Sequence, residues 1–88
     1  MTGVAPSDAG LEARRLEGEA RAAREKIRAF EERYGMSSRE FLGRFLRGEL
    51  GDEQDFIEWW GELVFLEEAE RGLEELRRAE RGGEKERG

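Results

Sequence analysis

The sequence predicts an all-α protein with two long antiparallel helices, at about 9–34 and 53–81, and a short helix, at about 38–47, at the end that connects them. Two observations lead to this prediction. Apolar residues recur every three or four positions along both long segments, and helix-capping signals separate the three segments. The chain has 88 residues, of which 43% are charged and 36% apolar. This size and balance indicate one small domain with a thin core.

The composition excludes several kinds of site. The chain has no Cys and no His, which removes a disulfide framework, the usual zinc site and any nucleophile activated by His. No apolar run approaches the ~18 residues of a membrane span, and no signal-peptide pattern is present. We therefore expect a cytoplasmic protein with no cofactor, no metal and no membrane contact.

The domain boundaries follow composition. Residues 1–8 show little apolar periodicity and are predicted to be a disordered lead, and residues 9–81 form one helical-hairpin domain. The pattern ends at Gly82 and Gly83, so residues 82–88 are predicted to be a disordered, charged tail.

The first helix carries a heptad seam, in which apolar residues alternate steps of three and four. Gly35 follows this seam and is a natural stop for the helix. If the chain forms a homo-oligomer, the seam is the predicted self-association surface: Leu16, Ala20, Ala23, Ile27, Phe30 and Tyr34.

The short helix and the third helix have their own capping signals. Ser37 is the predicted N-cap of the short helix, with Glu40 three positions later as in a capping box, and Gly48 ends it. Asp52 is the predicted N-cap of the third helix, where negative charge suits the helix dipole. Most aromatic residues then gather at the connecting end of the hairpin.

The third helix has two adjacent apolar stripes. One contains Phe56, Trp59, Leu63, Leu66, Leu73 and Leu76, and the second contains Ile57, Trp60 and Val64. Together they exceed what one antiparallel neighbour covers, which favours a second copy or another protein as a partner. Gly61 lies among them, where it either admits a close backbone or aromatic ring or is simply tolerated.

Residues 49–75 are strongly acidic, with eleven acidic residues against Arg71 and a net charge of −10, in a chain whose overall charge is −6. Such a segment is either a solvated face, partly neutralised by the Arg-rich first helix, or a docking surface for a basic protein. Direct binding to nucleic acid needs a basic stripe instead and is not expected.

Clustered carboxylates, at 52–55 and 67–70, raise the question of an enzyme or metal site. A di-metal bundle needs Glu-x-x-His pairs, and the stretch GDEQD departs from a calcium-binding loop. Helix caps and solvated faces explain these acids better, so we predict no catalytic and no metal-binding residue.

Residues 30–60 carry a recognisable series of short motifs: Tyr34-Gly35-Met36-Ser37, Glu40-Phe41, Gly48-Glu49-Leu50-Gly51-Asp52, Asp55-Phe56 and Glu58-Trp59. This series resembles a group of small bacterial and archaeal helical proteins that look like the antitoxin partners of type II toxin–antitoxin modules. The resemblance covers about a third of the chain and implies a non-enzymatic protein that binds and neutralises a cognate toxin.

The expected function is therefore binding of a partner, a cognate toxin that is basic and nuclease-like, in a hetero-oligomer. The predicted partner-binding residues combine aromatic anchors with steering acids: Phe56, Glu58, Trp59, Trp60, Glu62 and Leu63. The alternative is a self-associating helical module, a homodimer or tetramer without a toxin partner, in which the tryptophans are core residues.

Overall fold

The fold is described by a computed structural model, which covers the backbone of residues 8–87 and the side chains of residues 10–80. These residues form three helices, α1 (Asp8–Tyr34), α2 (Ser38–Leu46) and α3 (Gln54–Arg87), and no strand occurs among them. The predicted all-α class is confirmed. The molecule is elongated, with principal extents of 55 × 27 × 18 Å.

Helices α1 and α3 pack against each other, and their contacts follow opposite orders along the two helices. Three ion pairs show this order, because the partner on α3 comes later as the partner on α1 comes earlier. Their N···O distances are 2.7 Å for Arg33–Asp55, 3.5 Å for Lys26–Glu62 and 3.0 Å for Arg24–Glu70. The basic partner of each pair is exposed, and ion pairs of this kind contribute little to stability. Packing of apolar residues therefore holds the two helices together more than these charges do.

The same glycine motif ends both α1 and α2. Gly35 has φ of +61° and Gly48 has φ of +76°, the left-handed conformation that glycine adopts without strain. In each case the next backbone N–H donates to a carbonyl five residues earlier: Met36 to Glu31 at 3.2 Å and Glu49 to Arg44 at 3.0 Å. These bonds satisfy carbonyls at the helix ends and turn the chain sharply on both sides of α2.

Helix α2 begins at the predicted cap. The Ser37 Oγ accepts a hydrogen bond from the Glu40 N–H at 3.1 Å. The Glu40 carboxylate pairs with Arg44 within α2 at 2.9 Å, so the return half of a capping box is not formed. Instead, the Glu31 carboxylate of α1 accepts from the Ser38 N–H at 2.9 Å and ties the start of α2 to α1.

Helix α3 begins one residue later than Asp52 predicts. The Glu53 carbonyl accepts the first helical bonds, from Phe56 at 3.0 Å and Ile57 at 3.2 Å, and Asp52 forms no side-chain hydrogen bond to any described residue. The prediction of Asp52 as the N-cap is wrong, because the first helical carbonyl belongs to Glu53.

The other end of α3 is longer than the sequence pattern suggests. Its backbone stays helical through Gly82 and Gly83 to Arg87, in the segment where a disordered tail is predicted. Glycine lowers helix stability by about 1 kcal/mol but keeps its N–H, so it weakens a helix without breaking the main-chain bonds. Of the predicted lead, residues 1–7 lie outside the described residues.

The core lies at the end where α2 joins the long helices. Phe30, Phe41, Phe56 and Trp59 are buried together there, and the rings of Phe41 and Trp59 stack with centroids 4.0 Å apart. The Trp59 indole N–H donates to Ser38 Oγ at 2.9 Å. The predicted gathering of aromatic residues is confirmed. Helix α2 covers one side of this cluster. We call the cluster the aromatic core; its buried residues are Phe30, Phe41, Phe56 and Trp59.

Candidate protein-binding surface

The residues predicted to bind a partner do not share one surface. Trp59 is completely buried and Phe56 is only 9% exposed, while Leu63 is half-buried against the aromatic core. Phe56 and Trp59 are therefore structural residues in this fold, because α1 and α2 already cover them. Their assignment as docking residues is corrected on this ground.

The other three predicted residues point in two directions. Trp60 is 41% exposed, and its ring lies 6.1 Å from that of Phe45 on α2. Glu58 is also exposed and accepts a hydrogen bond from the Gln54 side chain. Glu62 instead faces α1 and pairs with Lys26. Only Glu58 and Trp60 of the predicted set are exposed to solvent.

The predicted self-association seam is filled from within the chain. Its buried members are Ala20, Ala23, Ile27 and Phe30, and its two ends, Leu16 and Tyr34, are half-buried. Helix α3 packs against α1 and occupies the place that a second copy would take. Self-association through this seam would require the two long helices to separate.

Four large apolar side chains of α3 are exposed, namely Ile57, Trp60, Val64 and Phe65, and the first three lie on the second stripe. We define the exposed stripe as Ile57, Trp60, Gly61 and Val64. The exposed fractions of the Ile57, Trp60 and Val64 side chains are 44%, 41% and 36%. Their spacing of i, i+3, i+4 and i+7 places them on one helical face. The sequence pattern contains this stripe, but only Trp60 of it was assigned to the partner, since periodicity alone does not say which stripe faces α1.

The exposed stripe continues onto α2. Trp60 contacts Phe45, and Leu46 in the following position is 67% exposed. A shallow, mainly apolar groove of about 400 Å³ lies between α2 and α3, lined by Leu42, Leu46 and Leu63 among others. Together these residues form a contiguous apolar surface on one side of the molecule, and such surfaces mark interaction sites.

The acids of α3 divide into two groups. Those that face α1 are paired with its basic residues, as the ion pairs of Asp55, Glu62 and Glu70 show. Among the residues that the structure describes, no ion pair holds Glu58, Glu68 or Glu75; Glu58 lines the groove between α1 and α3, and Glu68 and Glu75 lie on the outer side of α3. Ion pairs with α1 therefore involve one side of α3 only. Away from α1, Glu67 and Glu74 pair with arginines of α3 itself, whereas Glu68 and Glu75 are in no ion pair with a described residue.

A polar groove of about 450 Å³ lies between α1 and α3 beside Arg33, Asp55 and Glu58. The Tyr34 hydroxyl donates to Asp55 Oδ2 at 2.6 Å and Arg33 donates to the same oxygen at 2.7 Å. These two bonds hold the pKa of Asp55 below its usual value, and the bond to Asp55 raises the pKa of Tyr34. The two hydrogen bonds join the end of α1 to the beginning of α3.

Among the described residues there is no group of three or more potential metal ligands, and none of their helices has the length and apolarity needed to cross a bilayer. No protein-family model matches this chain, and no match to it occurs among curated proteins or solved structures.

Proposed function

We propose that this chain is a non-enzymatic protein-binding module that docks a partner on the exposed stripe of α3. The observation that supports the proposal is the exposure of Trp60 between Ile57 and Val64 on one helical face. Tryptophan is strongly enriched among residues that dominate binding energy, because it buries a large area with little loss of side-chain freedom.

In this proposal the chain is an antiparallel hairpin of α1 and α3 with α2 at the connecting end. The opposite order of the interhelical ion pairs supports this arrangement. The aromatic core then fixes α2 beside α3, so that Phe45 and Leu46 extend the exposed stripe. Both helices of the proposed binding face pack on the same core, which favours a fixed arrangement of that face.

The proposed partner is a protein with a basic surface. Glu68 and Glu75 are exposed on the outer side of α3 and are in no ion pair with a described residue, and residues 49–75 carry a net charge of −10. Complementary charge raises the rate of association and selects against acidic partners. The resemblance of residues 30–60 to antitoxins makes a basic, nuclease-like toxin the specific candidate.

The first experiment identifies and reconstitutes the complex. A tagged chain is isolated from its native host and examined by native mass spectrometry, and any stoichiometric basic protein is purified and titrated back by calorimetry. Trp60→Ala is expected to weaken binding by about 2 kcal/mol or more, roughly 30-fold, as for a central anchor residue. Homo-oligomers without a second protein, or unchanged affinity for Trp60→Ala, would contradict the proposal.

The matched control is Leu11→Ala. Leu11 is 53% exposed but lies on α1, outside the exposed stripe, so its truncation removes exposed apolar area without touching the proposed face. We expect its affinity to equal that of the unaltered chain. An equal loss of affinity for Trp60→Ala and Leu11→Ala would mean that no single face of the molecule binds the partner.

A second experiment tests the antitoxin role separately. The partner is expressed alone and together with this chain, and growth is followed. Growth arrest by the partner, rescued by the unaltered chain but not by Trp60→Ala, is the expected result. If the partner binds tightly but does not slow growth, the chain remains a protein-binding module and the antitoxin role is excluded.

A further inference from the structure

Gly61 forms a notch in the middle of the exposed stripe. Ile57, Trp60, Gly61 and Val64 occupy positions i, i+3, i+4 and i+7, the four positions that surround a hole in helix–helix packing. Apart from its two chain neighbours and the nearby backbone of α3, a Cβ atom placed on Gly61 would meet no heavy atom within 4 Å. The space beside Gly61 is therefore open, and it adjoins the groove between α1 and α3 that Gly61 lines together with Ala22 and Phe65.

A second glycine of α3 behaves differently. A Cβ atom on Gly72 would lie 3.0 Å from Leu16 Cδ1 of α1, so this glycine admits a leucine side chain from the neighbouring helix. Glycine in a helix interior costs about 1 kcal/mol relative to alanine. Gly72 offsets this cost by close packing inside the hairpin, whereas nothing described in the chain offsets it at Gly61.

We propose that the notch at Gly61 receives a large apolar side chain from a basic amphipathic helix of the partner protein. This inference rests on the proposed function and specifies the partner's shape and charge. The partner's helix lies against α3 with one apolar side chain in the notch, between Ile57 and Val64 and beside the Trp60 ring.

Charge decides between a basic helix and a second copy of this chain. Glu58, Glu67 and Glu68 flank the exposed stripe, and the only base in residues 49–75, Arg71, already pairs with Glu67. A second α3 in the notch would bring the same acids together, and like charges across an interface disfavour association. A helix that carries Lys or Arg beside its apolar stripe meets these acids favourably.

The test uses synthetic peptides of defined pattern in calorimetric titrations with the full chain. One peptide of about 20 residues carries Leu at helical i, i+3, i+4 and i+7 spacing with Lys elsewhere. A second has Glu in place of Lys, and a third has the Lys peptide's composition in scrambled order. The Lys peptide is expected to bind at least about tenfold more tightly than either of the others, or about 1.4 kcal/mol.

The decisive variant is Gly61→Leu, whose Cβ has open space around it and whose longer side chain is expected to occupy the notch. We expect it to weaken binding of the Lys peptide about tenfold or more. Gly18→Leu is the matched control, because Gly18 is also an exposed helical glycine with no atom within 4 Å of a built Cβ, but on α1. Its affinity should be unchanged, and circular dichroism shows whether both variants keep their helices.

Three results would overturn the inference: equal binding of the Lys and scrambled peptides, equal affinities for Gly61→Leu and the unaltered chain, or a dimer of the free chain that Gly61→Leu dissociates in sedimentation. The last result would assign the notch to a second copy. If the native partner loses affinity with Trp60→Ala but not with Gly61→Leu, the proposed function stands and the notch assignment is wrong.

Discussion

At the scale of single residues, Trp59 and its hydrogen bond to Ser38 join α3 to α2. Ser38→Ala leaves the buried indole N–H without a partner and is expected to lower the free energy of unfolding by about 1–2 kcal/mol. In a Trp59→Phe background, where no indole N–H remains, Ser38→Ala should lower the free energy of unfolding by a clearly smaller amount. Urea unfolding of the four proteins of this cycle measures the difference, and equal costs in both backgrounds would contradict the assigned bond.

Asp55 makes the stability of the protein depend on pH. Its pKa is lowered by the hydrogen bonds from Tyr34 and Arg33, so it stabilises the fold above its ordinary pKa of about 3.9. This contribution is lost as the pH falls through the lowered value. The stability advantage of the unaltered chain over Asp55→Asn should therefore be full at neutral pH and shrink below about pH 4.

Urea unfolding at a series of pH values measures this effect. Tyr34→Phe provides the comparison, since it removes the strongest donor and leaves the carboxyl group in place. It should show a smaller dependence on pH than the unaltered chain over the same acidic range. Parallel pH profiles for the unaltered chain and Asp55→Asn would show that the fold does not depend on this carboxylate.

At the scale of elements, the left-handed glycines hold α2 in place. Gly35→Ala adds a Cβ atom at φ of +61° and is expected to destabilise the fold by about 1–2 kcal/mol. Gly18→Ala makes the same chemical change in the middle of α1, where the space is open, and should stabilise it by about 0.5–1 kcal/mol. Thermal unfolding of both variants gives the signs, and two shifts of the same sign would contradict the assigned conformations.

The ends of the elements were predictable where a local signal defines them. Gly35, Gly48 and Ser37 act through atoms within a few residues of themselves, and the sequence identifies all three. The start of α3 lies one residue later than predicted because Asp52 has the better N-cap side chain, whereas the first helical carbonyl belongs to Glu53. The extension to Arg87 was missed because glycine weakens a helix but does not forbid one.

The binding surface was only partly predictable. The sequence separates the two apolar stripes of α3 correctly, but the choice of which stripe is buried depends on where α1 and α2 lie beside α3. Long-range packing decides this, through the stacking of Phe41 on Trp59. Adjacent tryptophans therefore differ completely in burial, and Trp59 was wrongly grouped with Trp60.

At the scale of the whole molecule, the packing is uneven from end to end. The aromatic core holds the connecting end, whereas small side chains such as Ala20, Ala23 and Ala69 dominate the interface farther away. Amide exchange should therefore be slowest around residues 27–34 and 56–63 and roughly tenfold faster or more around residues 10–16 and 73–80. Mass spectrometry of peptic fragments tests this, and uniform protection along α1 would contradict it.

The distribution of charge over the molecule gives a kinetic prediction for the proposed complex. Because the outer acids of α3 act at a distance, added salt should slow association with a basic partner while changing dissociation much less. Stopped-flow mixing at several salt concentrations separates the two rates. A salt effect confined to dissociation would mean that these acids act only after contact is made.

Trp59 and Trp60 are adjacent in sequence but lie in opposite surroundings, and this gives the molecule two separate optical signals. Trp59 is fully buried and stacked on Phe41, so we expect it to dominate the near-ultraviolet circular dichroism and to be shielded from acrylamide. Trp60 is open to the quencher. Covering the exposed stripe should protect the Trp60 emission and leave the dichroism unchanged, whereas unfolding should abolish the dichroism. Without an added label, the fluorescence of Trp60 thus reports docking and the near-ultraviolet circular dichroism of Trp59 reports folding.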